Sequence, residues 1–110
     1  MSVYEFTFIV QSGFIQQEVD GLVQEFTAML QGMGAKVMKY ENWGLRDLAY
    51  PIKKFSKGYY FMMCIEISKD SLPEFKRKVR LNENVIRYVY CSINSVPEED
   101  SSMVVQVSEE

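Results

Sequence analysis

Residues 58–68 read Gly-Tyr-Tyr-Phe-Met-Met-Cys-Ile-Glu-Ile-Ser and carry apolar side chains at both odd and even positions. Successive side chains of a β-strand point to opposite faces of its sheet, so such a strand has apolar groups on both faces. This pattern is typical of a strand in the middle of a sheet. The segment is therefore predicted to be central, with the rest of the chain arranged around it.

The chain before this strand reads as a strand, a helix and a second strand. Residues 3–10 are rich in Val, Phe, Thr and Ile, which favour strands. Residues 15–33 carry apolar side chains at a period of 3.6, as on one stripe of an amphipathic helix. A further strand is expected from residue 35 toward Ala49, with Pro51 interrupting it.

A second helix and a last strand follow the central one. Residues 68–81 are predicted to be helical, with Ser71 or Asp70 as the N-cap and Pro73 tolerated in the first turn. Residues 85–94 read as the fourth strand. The order β-α-β-β-α-β predicts an α+β, ferredoxin-like split βαβ fold, in which a four-stranded antiparallel sheet carries both helices on one face.

The face of the sheet opposite the helices, here called the open face, is expected to be apolar and bare. Its predicted residues are Ile9, Tyr60, Met62 and Cys64, with either Tyr88 and Tyr90 or Val89. A partner would cover such a surface, although scattered exposed apolar residues are also ordinary. Cys64 and Cys91 fall in non-neighbouring strands, so they are expected to be buried free thiols rather than a disulfide.

Length and charge favour one domain with a charged tail. The 110 residues have a formal net charge of −3, yet residues 36–87 contain all 12 basic and only six acidic residues. That middle section carries a net charge of +6, and a ligand responds to this local field more than to the total charge. We expect a domain over residues 1–96 and an acidic, disordered tail over residues 97–110.

Residues 43–60, here called the hairpin, combine cations with aromatic rings. The cations are Arg46, Lys53, Lys54 and Lys57, and the rings include Trp43, Tyr50, Tyr59 and Tyr60. Cations with stacking surfaces suit an RNA ligand. The alternative is ordinary cross-strand packing, with lysines that keep a strand edge soluble.

The residue types that catalysis commonly needs are scarce. Histidine is absent, and no glycine-rich phosphate-binding motif occurs. No enzymatic activity, cofactor, metal or small-molecule substrate is expected. No apolar run reaches the ~20 residues of a membrane span, and the amino terminus lacks the features of a secretory signal, so a cytoplasmic location is expected.

Three motifs resemble the bacterial small-subunit ribosomal protein six family. The most specific is Gly44-Leu-Arg-Asp-Leu-Ala-Tyr-Pro-Ile-Lys53 followed by Gly58-Tyr59, and the others are Tyr4-Glu5 and Val79-Arg-Leu-Asn-Glu-Asn-Val-Ile-Arg87. The likeness spans nearly everything from Tyr4 to Val96, and the family has a split βαβ fold.

The resemblance implies a structural, ribosome-associated role without catalysis. Family members bind the central domain of small-subunit ribosomal RNA together with ribosomal protein eighteen, as a heterodimer. The expected RNA-binding residues are Arg46, Lys53, Lys54, Lys57, Arg80 and Arg87, which would neutralise phosphates. Partner contacts are expected at Trp43, Tyr50, Tyr60 and Met62.

Two other functions fit the same fold. A dimeric regulatory or small-ligand-binding module would pair the open face with itself or with a metabolite, and it would be indifferent to RNA. A small cofactor-free isomerase or lyase would need a pocket holding an acid or base with a perturbed pKa. No such group stands out in the sequence.

Overall fold

The computed structural model of the protein describes residues 2–97. Its elements are β1 (Ser2–Gln11), α1 (Gln16–Gly32), β2 (Lys36–Ile52), β3 (Phe55–Ile67), α2 (Leu72–Leu81) and β4 (Val85–Ile93). The predicted element order is confirmed, and Ser71 is the N-cap residue of α2 with Pro73 in its first turn. The predicted tail lies, except for Pro97, outside the described residues, so the boundary after residue 96 stays a prediction.

The four strands form one antiparallel sheet in the order β2-β3-β1-β4. The predicted fold and the central position of β3 are therefore confirmed. β1 and β3 pair along their whole shared length, with Phe8 opposite Phe61 and Phe6 opposite Met63. These two strands fix which side chains meet the helices, because a slip of one residue would turn every side chain to the other face.

A cluster of aromatic rings fills the space between the sheet and the helices. Phe6 and Phe8 of β1, Phe61 of β3, Phe26 of α1 and Phe75 of α2 are all fully buried. The Phe8 and Phe61 rings stack at 4.7 Å between centroids, and Phe75 meets Phe6 edge-on at 5.3 Å. Both geometries are favourable for aromatic pairs. The ring cluster therefore joins both helices to the central strands.

The apolar stripes of both helices face this cluster, as predicted. The buried helix residues are Val19, Leu22, Phe26 and Leu30 in α1 and Leu72, Phe75 and Val79 in α2. Val23, Met29 and Met33 are partly buried against the same core.

Strand β2 differs from the prediction at Pro51. The strand does not stop there but continues to Ile52, which pairs with Phe55 across a two-residue turn. Proline cannot donate a backbone hydrogen bond, and a sheet tolerates it only at an edge or a bulge. Both conditions hold, because β2 is an edge strand and its residues 48–51 have no partner in β3.

The open face also differs from the prediction, because the residues at its centre are buried. Val89 lies on this face opposite Thr7, whereas Tyr88 and Tyr90 pair with the core residues Phe8 and Phe6. Ile9, Met62 and Cys64 were expected to be bare, yet all three are buried, with Met62 only 2% exposed. The open face is therefore not the bare apolar surface that strand alternation suggested.

The two cysteines lie on the open face but differ in exposure. Both are opposite Glu5, Cys64 in β3 and Cys91 in β4, and both are free thiols, as predicted. Cys64 is buried, whereas Cys91 is exposed and its predicted burial was wrong. Cys91 lies in an edge strand, whereas Cys64 lies in the strand between β1 and β2. Burial, assisted by the Glu5 carboxylate, raises the pKa of the Cys64 thiol.

We expect one fast-reacting thiol per chain in the native protein. Cys91 is exposed, whereas Cys64 is buried and that burial raises the pKa of its thiol, which lowers the fraction of the nucleophilic thiolate. Titration with a chromogenic disulfide reagent should show one rapid equivalent in buffer and two in concentrated guanidinium. The Cys91→Ser variant is the control and should lose the rapid phase. Two rapid equivalents in native wild type would contradict the buried position of Cys64.

Candidate nucleic-acid interface

One end of the sheet collects the six cations that were predicted to bind RNA. At this end β1 finishes, the hairpin turns from β2 into β3, and the loop after α2 leads into β4. Gln11 at the end of β1 is opposite Gly58, and its side chain donates to Asn84 Oδ1 at 2.7 Å. The cationic end is defined here by Arg46, Lys53, Lys54, Lys57, Arg80 and Arg87. The topology thus joins two sequence motifs that are more than 20 residues apart.

The tip of the hairpin consists of Lys53 and Lys54. Both residues have left-handed backbone conformations, with φ of 49° and 73°, between the paired residues Ile52 and Phe55. Both side chains belong to exposed residues. Among the residues that the structure describes, no acidic group forms an ion pair with either lysine. The tip therefore presents two solvated ammonium groups.

Arg46 is held by an irregularity in β2. The register with β3 shifts between Asn42 and Gly44, where Gly44 has a φ of 76° and its N–H donates to Asn42 Oδ1 at 2.9 Å. This bulge leaves the carbonyl of Trp43 available, and it accepts a hydrogen bond from Arg46 Nε at 2.9 Å. Bulges re-aim side chains in this way. Arg46 is accordingly a half-buried, positioned cation rather than a flexible one.

Arg87 connects the fourth strand to the hairpin. Its guanidinium Nη1 donates to the hydroxyl of Tyr50 at 2.7 Å, across 37 residues of chain. Tyr50 lies in the part of β2 that has no partner in β3. The strand pairing between β2 and β3 therefore does not fix its position, and it can reach Arg87. The bond ties the two groups of predicted RNA-binding residues into one surface.

A cleft of about 480 Å³ opens beside the base of the hairpin. It is lined by Leu45, Arg46, Asp47, Lys57 and Tyr60. Lys57 Nζ lies 3.8 Å from Asp47 Oδ1, and the two side chains are 56% and 84% exposed. Water screens an ion pair this exposed, so the pair adds little stability and leaves Lys57 available to an anionic ligand.

The far cation Arg80 lies in the last turn of α2 and is exposed. Its positive charge is favourable at the carboxyl end of the helix, because the unpaired backbone carbonyls there create a negative potential. Other basic residues of α2 are engaged locally, since Arg77 and Lys78 both pair with Glu74, at 2.8 and 3.8 Å. The Arg77 hydrogen bond lowers the pKa of the Glu74 carboxyl. Arg77 and Lys78 are therefore suitable positions for control substitutions.

The residues predicted to meet a protein partner are distributed unevenly. Tyr50 is exposed within the hairpin, and Trp43 and Tyr60 are half-buried at its two ends. The Trp43 indole donates to Glu41 Oε1 at 2.8 Å. Met62 is buried in the middle of the open face. Three of the four residues therefore lie around the hairpin, and these contacts stay predictions.

The open face also contains an ion pair that the sequence did not predict. Lys39 Nζ lies 3.3 Å from Glu41 Oε2, and the two side chains are only 12% and 2% exposed. Lys39 also donates to the carbonyl of Pro97 at 3.0 Å. β4 lies at the sheet edge opposite to β2, so the chain beyond β4 crosses the open face to reach Lys39. The only sequence signal was the Lys-x-Glu spacing on one parity of a strand.

Gly58 lets the hairpin join the sheet. A Cβ atom at this position would lie 2.5 Å from Ile9 Cγ2 and 3.2 Å from the carbonyl oxygen of Val10. The Ile9 methyl is attached to a branched, buried side chain and has little freedom to move. The close approach of β1 and β3 at the base of the hairpin therefore requires glycine.

We expect Gly58→Ala to destabilise the protein by about 1–3 kcal/mol, since the inserted methyl overpacks the strand contact. Gly21→Ala is the matched control. Gly21 lies within α1 with no atom near the site of a Cβ, so alanine there should stabilise by about 0.5–1 kcal/mol. Urea unfolding of both variants measures the difference. A Gly58→Ala protein as stable as wild type would mean that β1 and β3 do not approach closely here.

No group of three or more His, Cys, Asp or Glu side chains within residues 2–97 is arranged to hold a metal ion. None of the helices that the structure describes has the length and apolar character of a membrane span.

Fold and site together define a small ferredoxin-like α+β protein with a cationic hairpin end. Residues 3–91 match the family described as Ribosomal protein S6. The chain is 52% identical over 104 residues to small ribosomal subunit protein bS6 of Ehrlichia ruminantium (strain Gardel), covering 94% of this chain and 95% of that one. It is 37% identical over 106 residues to the protein of the same name from Brucella canis, covering 96% and 72%.

Structural similarity agrees with these matches. The crystal structure of 30S ribosomal protein S6 from Thermotoga maritima superposes with a TM-score of 0.78 at 27% identity, covering 84% of this chain and 87% of that one. The chain therefore belongs to the ribosomal protein S6 family. Its role is structural and non-enzymatic, in the small ribosomal subunit. The family resemblance inferred from the hairpin motif is confirmed.

Proposed function

We propose that the protein binds the central domain of small-subunit ribosomal RNA cooperatively with ribosomal protein eighteen, as a heterodimer on cytoplasmic ribosomes. The observation that carries this proposal is the cationic end, where the topology brings six basic residues to one end of the sheet although the whole chain is acidic. Membership of the ribosomal protein S6 family supports it.

The cationic end suits phosphate contacts more than base reading. Lys53, Lys54 and Lys57 are exposed, and a lysine ammonium on its long aliphatic stem neutralises phosphate as a point charge. Contacts of this kind set the position and orientation of a protein on RNA but carry no sequence information. Specificity would then come from RNA shape and from the partner, which is why cooperative binding is part of the proposal.

The partner surface is proposed to adjoin the hairpin. Tyr50, Trp43 and Tyr60 present aromatic surface there, and aromatic residues are enriched in the cores of protein interfaces. The hydrogen bond from Arg87 to Tyr50 supports a partner surface beside the cations. A protein bound there would lie next to bound RNA, an arrangement that permits each to strengthen the binding of the other.

Mobility-shift titration with a fragment of the RNA central domain tests the proposal. We expect weak binding by this protein alone and tighter binding when ribosomal protein eighteen is present. A coupling of about 1–3 kcal/mol, or roughly 5- to 150-fold in affinity, is the usual size. Equal affinity with and without the partner would count against cooperative assembly, and a homodimer indifferent to RNA would favour the regulatory alternative.

We expect the combined change of Lys53, Lys54 and Lys57 to Gln to flatten the salt dependence of RNA binding. Each lost phosphate contact lowers the slope of log affinity against log salt by at most about 0.9 on a duplex. The matched control changes Lys69, Arg77 and Lys78 to Gln, which removes the same charge from exposed positions of α2 and the loop before it. Equal slopes for the two triple variants, each with wild-type circular dichroism, would locate the RNA surface elsewhere.

A further inference from the structure

The turn at the hairpin tip has a backbone conformation that is unfavourable for lysine, yet it contains Lys53 and Lys54. Ile52 and Phe55 are paired, so the turn between them has two central residues, Lys53 and Lys54, both with positive φ. This is the pattern of a type I′ turn, whose twist matches that of the flanking strands and which favours Asn-Gly or Asp-Gly. Two consecutive side chains with a Cβ and a charge are unusual there.

Two physical costs attach to lysine at these positions. A residue other than glycine in the left-handed region brings its Cβ close to the following carbonyl oxygen, which is sterically unfavourable. Neighbouring ammonium groups also repel each other. Among residues 2–97, no carboxylate pairs with Lys53 or Lys54 to offset either cost.

A turn of this type can be closed without either cost. Asn-Gly would close the same turn with less strain. Lys57 follows on β3, where it is opposite Asp47, and Arg46 is opposite Gly58, so the cations continue from the tip along one hairpin. Local strain that nothing nearby compensates is concentrated at functional sites.

We infer that Lys53 and Lys54 are retained in this turn to contact backbone phosphates of the bound RNA, at the expense of hairpin stability. This inference rests on the proposed RNA-binding function and deepens it. It adds to that function an exchange of stability for contact, in which the left-handed backbone presents two adjacent ammonium groups beyond the end of the sheet.

The test replaces the tip with the residues that the turn geometry prefers, in the variant Lys53→Asn with Lys54→Gly. Its thermal midpoint should rise by at least about 4 °C, because a domain of this size responds by that much to even a modest gain in stability. Its affinity for the central-domain RNA fragment, with ribosomal protein eighteen present, should fall by roughly one order of magnitude or more at 0.1 M salt. Its salt slope should fall by up to about 1.8.

Two controls separate charge from turn geometry. Lys53→Arg with Lys54→Arg keeps both charges and the unfavourable turn, so it should keep the wild-type thermal midpoint and RNA affinity. Lys36→Gln with Lys69→Gln removes the same charge from exposed positions and should leave RNA affinity within about twofold of wild type, because both residues lie at the opposite end of the sheet, where β2 begins and β3 ends.

The outcomes distinguish this inference from the function on which it rests. If wild type binds the RNA with its partner but the Asn-Gly variant binds with equal affinity and slope, the inference fails and the proposed function stands. If the Asn-Gly variant binds more weakly but is no more stable than wild type, the exchange of stability for binding is refuted. If wild type shows no binding to the RNA in the presence of the partner, the proposed function itself fails.

Discussion

The stacking of Phe8 on Phe61 across the two central strands fixes the geometry of the molecule. These rings determine which face of the sheet receives the helices, and Phe26 and Phe75 then pack against them. A register shift of one residue would bring Thr7 or Met62 to the helices and expose the rings. Burying several aromatic side chains is worth far more than any surface contact of the hairpin.

This register also determines where the charges lie. Because β1 and β3 are fixed against each other, the end of β1 and the start of β4 must lie beside the base of the hairpin. Arg87 and Tyr50 are thereby brought within hydrogen-bonding distance. The cationic end is thus a consequence of core packing, although none of its six cations takes part in the core. The residues of the hairpin tip can therefore change while the ring cluster preserves the fold.

Most of the fold could be predicted because its signals are periodic and strong. The helix stripes and the two-sided apolar pattern of β3 report burial directly, since they reflect the 3.6 and 2.0 periods of helix and strand. Strand β2 was harder. Its register shifts after Val37 and again after Asn42, and each shift reverses the alternation on which the prediction of faces depends. The open-face ion pair of Lys39 with Glu41 and the position of Arg46 could not be derived for this reason.

The candidate site was predictable as a set of residues but not as a surface. The cations and aromatic rings of the hairpin are visible in the sequence, and the hairpin motif was enough to identify the family. The proximity of Arg87 to Tyr50, by contrast, depends on pairing between strands that are distant in the sequence. Cys91 was placed wrongly because strand character was taken as burial, and an edge strand leaves half of its surroundings open.

The turn at the tip shows how local and global preferences can conflict without loss of the fold. Local chemistry favours Asn-Gly at residues 53–54, and the chain has two lysines. The conflict is tolerated because strand pairs hold both ends of the hairpin. Ile52 pairs with Phe55 at the turn, and beyond the unpaired residues 48–51 Arg46 pairs with Gly58. Such disagreements are expected where function selects a residue against its structural preference. A hairpin whose base is fixed by a buried glycine contact can therefore keep a strained, highly charged tip.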